Sequence, residues 1–154
     1  MSPGDVVIRA CETDADRAAA MQIRFAVFVD EQKVPPELEP DEYDATALHL
    51  LAVDGESGEA IGTARLVDKG EGSVKIGRVA VVRSERGRGV GDVLMRDALA
   101  RAAARGFIVA ILDAQVPVIS FYERLGFAAE GPVFDDAGIP HRRMTRPLGA
   151  SPTR

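Results

Sequence analysis

The chain has 154 residues, and its 19 Lys and Arg against 24 Asp and Glu give a formal net charge of −5. This acidic balance argues against a general nucleic-acid-binding protein, because such proteins usually carry a basic excess. A single cysteine excludes an internal disulfide and a cysteine-based zinc site. The first residues do not resemble a signal peptide, and no apolar run approaches the roughly 20 residues that span a bilayer. We therefore expect one cytoplasmic domain, residues 5–148, with no membrane partner and a frayed tail at residues 149–154.

The N-terminal half of the chain predicts a strand, a helix, an irregular loop and three more strands. Val6–Ile8 is a short apolar run, and Thr13 begins a helix whose apolar residues recur at helical spacing through Val29. Residues 30–44 contain three prolines and keep neither the helical nor the strand period. Three strands follow, of which the first two form a hairpin across a turn: Leu48–Val53, Ala60–Val67 and Val74–Val82.

The C-terminal half predicts two helices and three strands. Gly89–Arg105 is the clearest helix, because its polar side carries acid-before-base pairs four residues apart. Phe107–Leu112 is nearly all apolar, as expected for a strand that is covered on both faces. A short helix over Pro117–Leu125 follows, and the last two strands begin near Phe127 and His141. These elements predict an α/β domain with a mixed sheet.

A glycine-rich turn stands between the fourth strand and the long helix: Arg86, Gly87, Arg88, Gly89, Val90 and Gly91. Glycines let the backbone approach a ligand closely, and the unpaired N–H groups of a helix start attract anions. A phosphate or pyrophosphate therefore suits this turn, although a glycine-rich turn without a ligand is the alternative. The spacing is not that of a dinucleotide fingerprint, because Asp92 or Leu94 occupies the third glycine position. No Gly-Lys-Ser/Thr of a P-loop follows.

This turn resembles the pyrophosphate loop of the GCN5-related N-acetyltransferase (GNAT) superfamily, Arg-x-x-Gly-x-Gly. Residues 120–127, Ser-Phe-Tyr-Glu-Arg-Leu-Gly-Phe, are similar to a later signature of that superfamily, and the order of the elements agrees. The resemblance covers about Val6 to Leu148 and implies the GNAT fold, an α/β (α+β) mixed sheet of about seven strands with helices on both faces. Phe28–Gln32, Ala114-Gln115 and Asp136–His141 further resemble the small bacterial ElaA-like and YjcF-like branch.

The resemblance implies acetyl-CoA as the co-substrate. No metal is expected, because no cluster of residues has the spacing of metal ligands. Its pyrophosphate would bind backbone N–H groups of residues 86–91, and its pantetheine arm would pair with the backbone of Val79, Ala80 and Val81. A backbone N–H on that strand would stabilise the thioester oxygen.

Tyr122 is the residue that the resemblance implies as general acid. A phenol has a reference pKa of about 10, so it keeps its proton at neutral pH and can donate it to a departing thiolate. The alternative is that Tyr122 only packs beside Phe121 and Phe127.

The general base is left open by the sequence. Many members of the superfamily carry a glutamate on the strand before the pyrophosphate loop, but Lys75–Val79 contains no carboxylate. The candidates are Glu31, Asp44, His49 and His141, or a water molecule. Glu31 and His141 are taken as catalytic candidates beside Tyr122. A lone His49 in an apolar strand is typical of a structural residue.

The loop over residues 30–44 carries seven acids and one base. If Glu31, Asp41 and Asp44 wall the acceptor site, cationic amines would be concentrated there; the alternative is a solvated loop without a partner.

Together these features predict an N-acetyltransferase that moves an acetyl group from acetyl-CoA directly to a small-molecule or peptide amine. A non-catalytic acyl-CoA sensor is one alternative. The other is an enzyme like the acyl-homoserine-lactone synthases, to which residues 42–44 and 62–66 bear a faint similarity. No nucleic-acid partner is expected, and a homodimer is compatible with the sequence.

Overall fold

The computed structural model describes residues 5–149, which contain seven strands and three α-helices. In chain order they are β1 (Val6–Ala10), α1 (Asp14–Arg24), β2 (Leu48–Asp54), β3 (Ala60–Gly70), β4 (Ser73–Val81), α2 (Val90–Ala104), β5 (Val109–Gln115), α3 (Ile119–Arg124), β6 (Ala128–Asp136) and β7 (Ile139–Pro147). Apart from Gly149, the tail predicted at residues 149–154 lies outside the described residues.

The strands form one sheet in the order β1-β2-β3-β4-β5-β7-β6. β4 and β5 run parallel, and every other neighbouring pair is antiparallel. Because side chains alternate along a strand, Leu50 and Ala52 pack in the core with α2, whereas Leu51 and Val53 pack with α1 on the opposite face. The prediction of a mixed sheet of about seven strands with helices on both faces is confirmed. No helix within residues 5–149 is both long enough and apolar enough to cross a bilayer.

The first helix changes geometry before it ends. Thr13 caps α1, and its Oγ1 accepts a hydrogen bond from the Asp16 N–H at 3.0 Å. The α-helix ends at Arg24 and continues as a π-helix over Phe25–Glu31. The predicted helix end at Val29 therefore falls inside a wider helical turn, a geometry that is frequent at functional sites.

The bounds predicted for the fifth strand are wrong at both ends. The strand is β5, Val109–Gln115, rather than Phe107–Leu112. Ala110, Leu112 and Ala114 are buried in the core with α2, but the residues between them are only half-buried. On the other face, Asp113 and Gln115, which lie beyond the predicted end of the strand, line a cleft. The pairs Asp92–Arg96 and Asp97–Arg101 are both present on α2, as predicted.

Three arginines fix the loop between α1 and β2 against the sheet. This arginine–carboxylate network consists of Arg24, Arg65, Arg78, Glu39, Asp41 and Asp44. Arg24, only 1% exposed, donates to Glu39 Oε2 at 2.8 Å and to Asp44 Oδ1 at 2.7 Å. Burial alone would raise the pKa of Asp44, but the hydrogen bonds from Arg24 and other donors hold that pKa well below its ordinary value. Asp44 therefore stays ionised, and its charge pairs with Arg24 and Arg65 hold the loop.

Replacing Arg24 by alanine is expected to lower the free energy of unfolding by about 3–5 kcal/mol, because Glu39 and Asp44 lose their buried partner. Urea unfolding followed by circular dichroism measures the loss. The matched control is Arg17→Ala on the same helix, whose exposed pair with Asp14 should contribute less than about 1 kcal/mol. Equal losses in the two variants would show that the network contributes no more than a surface pair.

Candidate active site

A cleft of about 720 Å³ opens where β4 and β5 diverge. The two strands pair only over Ser73–Lys75 and Val109–Ile111. Leu112, which faces the core on the α2 side, lines this cleft together with Asp113 and Gln115, which face the α1 side. The cleft therefore passes between the strands and reaches both faces of the sheet.

A β-bulge bends β4 beside the cleft. Thr63 pairs with Ala80 and Arg65 pairs with Gly77, so β4 holds an extra residue relative to β3. Arg78 lies in the bulge with a φ of 50°, a left-handed conformation that costs a residue other than glycine about 1–3 kcal/mol. A bulge redirects the strand, and the residues of β4 after it line the cleft. No local sequence pattern indicated this bulge.

The glycine-rich turn begins α2 on one side of the cleft. Gly87 and Gly89 have φ values of 90° and 81°, which glycine adopts without strain. Gly89 is the N-cap of α2, and no described side chain caps this helix. The N–H groups of its first turn are thus left for another acceptor. Gly91, within that turn, lines the cleft. This geometry suits an anion.

The two arginines of this loop, Arg86 and Arg88, both pair with acids. Arg86 donates through both terminal nitrogens to the Glu31 carboxylate, at 2.9 and 3.0 Å, and through Nε to the Val81 carbonyl at 3.0 Å. Arg88 pairs with Asp54 and Glu85. The hydrogen bond from Arg86 lowers the pKa of Glu31, and Glu31 is not among the residues that line the cleft. Glu31 is therefore a poor proton acceptor; it ties the π-helix to the glycine-rich turn.

Tyr122 lines the cleft from α3, on the side of α2. Its ring makes edge contacts with Phe121 at 5.0 Å and with Phe127 at 6.1 Å between centroids. Burial raises the pKa of Tyr122 to about 12, so its hydroxyl keeps its proton. Tyr122 therefore packs against two aromatic rings and also lines the cleft. Its packing role does not exclude a role as general acid.

The two histidines have different surroundings. His49 is buried, and its Nε2 lies 2.9 Å from the Asp44 carbonyl oxygen. His141 lines the cleft, and its Nδ1 lies 2.7 Å from the Ile139 carbonyl oxygen. Because a carbonyl oxygen only accepts, the contacting nitrogen must carry the hydrogen in each case. Neutral His141 therefore has its lone pair on Nε2, as a proton acceptor requires, whereas His49 serves as a structural donor.

The three segments that resemble the ElaA-like branch meet at the cleft. Gln115 Nε2 donates to Gln32 Oε1 at 2.8 Å, and the two amides join the end of the π-helix to the end of β5. Gln115 is also the register partner of His141 on β7. By strand alternation these side chains share the α1 face, across the sheet from Tyr122.

The acidic wall predicted from Glu31, Asp41 and Asp44 is wrong, because none of the three lines the cleft. Asp41 and Asp44 belong to the arginine–carboxylate network, whose arginines neutralise them. Asp44 is for the same reason no candidate base.

The cleft also contains charged residues that were not predicted, namely Lys75, Arg78, Glu39 and Asp113. Lys75 and Asp113 interrupt otherwise apolar strands, and that interruption is the signal that could have identified them. Among residues 5–149, no three His, Cys, Asp or Glu side chains are arranged to hold a metal ion.

Fold and cleft together define an acyltransferase of the GNAT class. Residues 16–127 match the Acetyltransferase (GNAT) family, and the chain belongs to that family. It is 40% identical over 129 residues to a Bacillus subtilis (strain 168) protein described as the uncharacterized N-acetyltransferase YjcF, covering 82% of this chain and 89% of YjcF. The predicted membership and the likeness to the YjcF-like branch are confirmed.

Two solved structures show the same fold over nearly the whole chain. An acyl-CoA N-acyltransferase from Pseudomonas aeruginosa is 35% identical with a TM-score of 0.82, covering 92% of this chain and 98% of that one. Escherichia coli ElaA is 30% identical with a TM-score of 0.82, covering 92% of this chain and 99% of ElaA.

The tautomers of the two histidines are a direct test of this geometry. In mildly alkaline solution, neutral His141 should carry its proton on Nδ1 and neutral His49 on Nε2, because each donates to a carbonyl oxygen. Long-range ¹H–¹⁵N correlation spectra distinguish the two forms, and the chain has only two histidines. A His141→Gln variant assigns the signals. An Nε2–H tautomer at His141 would remove its lone pair from Nε2 and exclude that atom as a base.

Proposed function

We propose that this protein is an N-acetyltransferase that moves an acetyl group from acetyl-CoA directly to an amine. The observation that carries the proposal is the cleft through the sheet, with Tyr122 on one face and His141 on the other. Tyr122 as the acid and His141 as the base would then lie on opposite faces of the sheet. This arrangement suits a transfer in which acetyl-CoA and the amine enter the cleft from opposite sides.

The described residues fit a coenzyme A molecule. The uncapped start of α2 offers N–H groups for the pyrophosphate, within residues 86–91. Along β4, the backbone of Val79, Ala80 and Val81 has no register partner on β5. Apart from the Val81 carbonyl, which accepts from Arg86 Nε at 3.0 Å, their backbone can therefore pair with an extended pantetheine arm. An N–H among these residues can donate to the thioester oxygen.

The chain's own groups then handle two protons. Bound acetyl-CoA supplies a thioester whose acyl carbon an amine attacks. His141 Nε2 accepts the proton that the amine gives up, and the Ile139 carbonyl keeps the imidazole in the required tautomer. Tyr122 donates its hydroxyl proton to the departing sulfur; a pKa of about 12 keeps this proton in place until the thiolate develops.

Acetyl-CoA should raise the Tm, because a ligand that binds only the folded protein stabilises it. Gly89→Glu should abolish most of this shift by placing a negative charge beside the pyrophosphate. The control Gly89→Ala imposes similar backbone strain at a φ of 81° without the charge, and open space surrounds the added Cβ. Differential scanning fluorimetry measures both variants. If Gly89→Glu keeps the wild-type shift, the pyrophosphate binds elsewhere.

Tyr122→Phe should lower kcat by about 10²–10⁴-fold while the Tm shift with acetyl-CoA persists, because only a proton donor is lost. The assay is transfer of labelled acetyl to the best acceptor from an amine library. The other tyrosine of the chain, exposed Tyr43, provides the control Tyr43→Phe, which should have wild-type kcat. Acetyl-CoA binding without transfer to any amine would instead favour the acyl-CoA sensor.

A further inference from the structure

The carboxylates at the floor of the cleft on the α1 face are already occupied by basic partners. Asp113 Oδ1 accepts from Arg143 at 2.6 Å, and its Oδ2 pairs with Lys75 Nζ at 3.0 Å. Glu39 Oε2 lies 2.8 Å from Arg24 Nε and 2.9 Å from Arg78 Nε. A cationic acceptor would therefore meet two acids whose charge is already balanced by basic side chains.

The cations of the same face keep donors that can bind a ligand. Lys75 has three N–H donors, and Asp113 is its one ion-pair partner among the described residues. The side chain of Lys75 is 36% exposed, and it lines the cleft. Arg78 Nε pairs with Glu39 Oε2 at 2.9 Å, and its Nη2 donates to the Glu39 carbonyl and to Asp41. No described residue accepts from its Nη1.

Asp136 is the remaining carboxylate of the cleft. It lies on the exposed end of β6 next to the hairpin turn, at the rim. Its charge is therefore screened by water and salt, whereas Lys75 and Arg78 line the cleft from within β4.

The distance between Asp113 and Gln115 on β5 limits the length of the acceptor. Gln115 follows Asp113 by two residues on β5, which is about 7 Å along a strand, and it is the register partner of His141. An acceptor that presents its amine to His141 and an anionic group to Lys75 therefore needs only a few atoms between the two groups.

We propose that the acceptor is a small amine that carries a carboxylate, and that Lys75, with Arg78 beside it, binds this carboxylate. The inference rests on the proposed function and names its substrate class. A singly charged carboxylate suits one lysine and one arginine that each already hold an acid. A free amino carboxylate and the C-terminus of a short peptide present the same group.

The test compares matched acids and amides as acetyl acceptors. Glycine, β-alanine, 4-aminobutyrate and glycylglycine are assayed against their carboxamides and against 1,3-diaminopropane, with acetyl-CoA as donor. At least one free amino carboxylate should exceed its carboxamide in kcat/KM by about tenfold or more, and the diamine should be poor. A preference confined to glycylglycine would assign the carboxylate to a peptide C-terminus.

Lys75→Gln should lower kcat/KM for the carboxylates about 10–100-fold more than for their carboxamides, mainly through the KM of the acceptor, because one charged hydrogen bond is lost. Lys75→Arg should keep most of the preference. The control Lys69→Gln removes the same charge from the exposed end of β3, outside the cleft, and should leave all constants unchanged.

Carboxamides or the diamine equalling the acids in the wild-type protein would overturn the inference and leave the acetyltransferase proposal intact. Equal losses on acids and amides in Lys75→Gln would overturn it as well, since Lys75 would then only support Asp113. Absence of transfer to every amine would overturn both proposals together.

Discussion

The short parallel pairing of β4 and β5 governs the rest of this structure. Neighbouring parallel strands usually exchange backbone hydrogen bonds along most of their length. Here the hydrogen-bonded pairing ends after Lys75 and Ile111. Beyond that point the two strands no longer pair with each other, and the cleft opens between them. Backbone N–H and C=O groups that leave a ladder are satisfied by water or by a ligand. This edge of β4 is therefore where we propose that the pantetheine arm of acetyl-CoA pairs.

The features around the gap keep it open. The bulge at Arg78 turns β4 away, and Arg78 is in turn held by Glu39 and Asp41. On the opposite side the π-helix is fixed by Glu31 to the glycine-rich turn and by Gln32 to β5. The strained backbone at Arg78 in β4 is thus held in place by the charge pairs that Arg78 makes with the neighbouring loop. The two catalytic candidates have contacts of their own: Tyr122 packs against two aromatic rings, and His141 contacts the Ile139 carbonyl.

What the sequence predicted correctly was local. The glycines of residues 86–91 indicate a particular backbone shape, and the acid-before-base pairs indicate α2, because both signals lie within a few neighbouring residues. The features that escaped depend on distant partners. Glu31 and Asp44 looked like bases because the arginines that pair with them are 20 or more residues away in the sequence. The end of β5 was missed since Asp113 and Gln115 are polar, and they are polar because they face the cleft rather than the core.

The arginine–carboxylate network also constrains how the protein can change over generations. Asp41 and Asp44 each contact two of the arginines, and the Glu39 carboxylate lies between Arg24 and Arg78. Losing Arg24, whose side chain is 1% exposed, leaves Glu39 and Asp44 each one partner short, so we expect this single substitution to cost stability. An exchange of an acid together with its arginine leaves fewer unpaired charges than either change alone. We therefore expect the six positions to vary together among relatives of this chain.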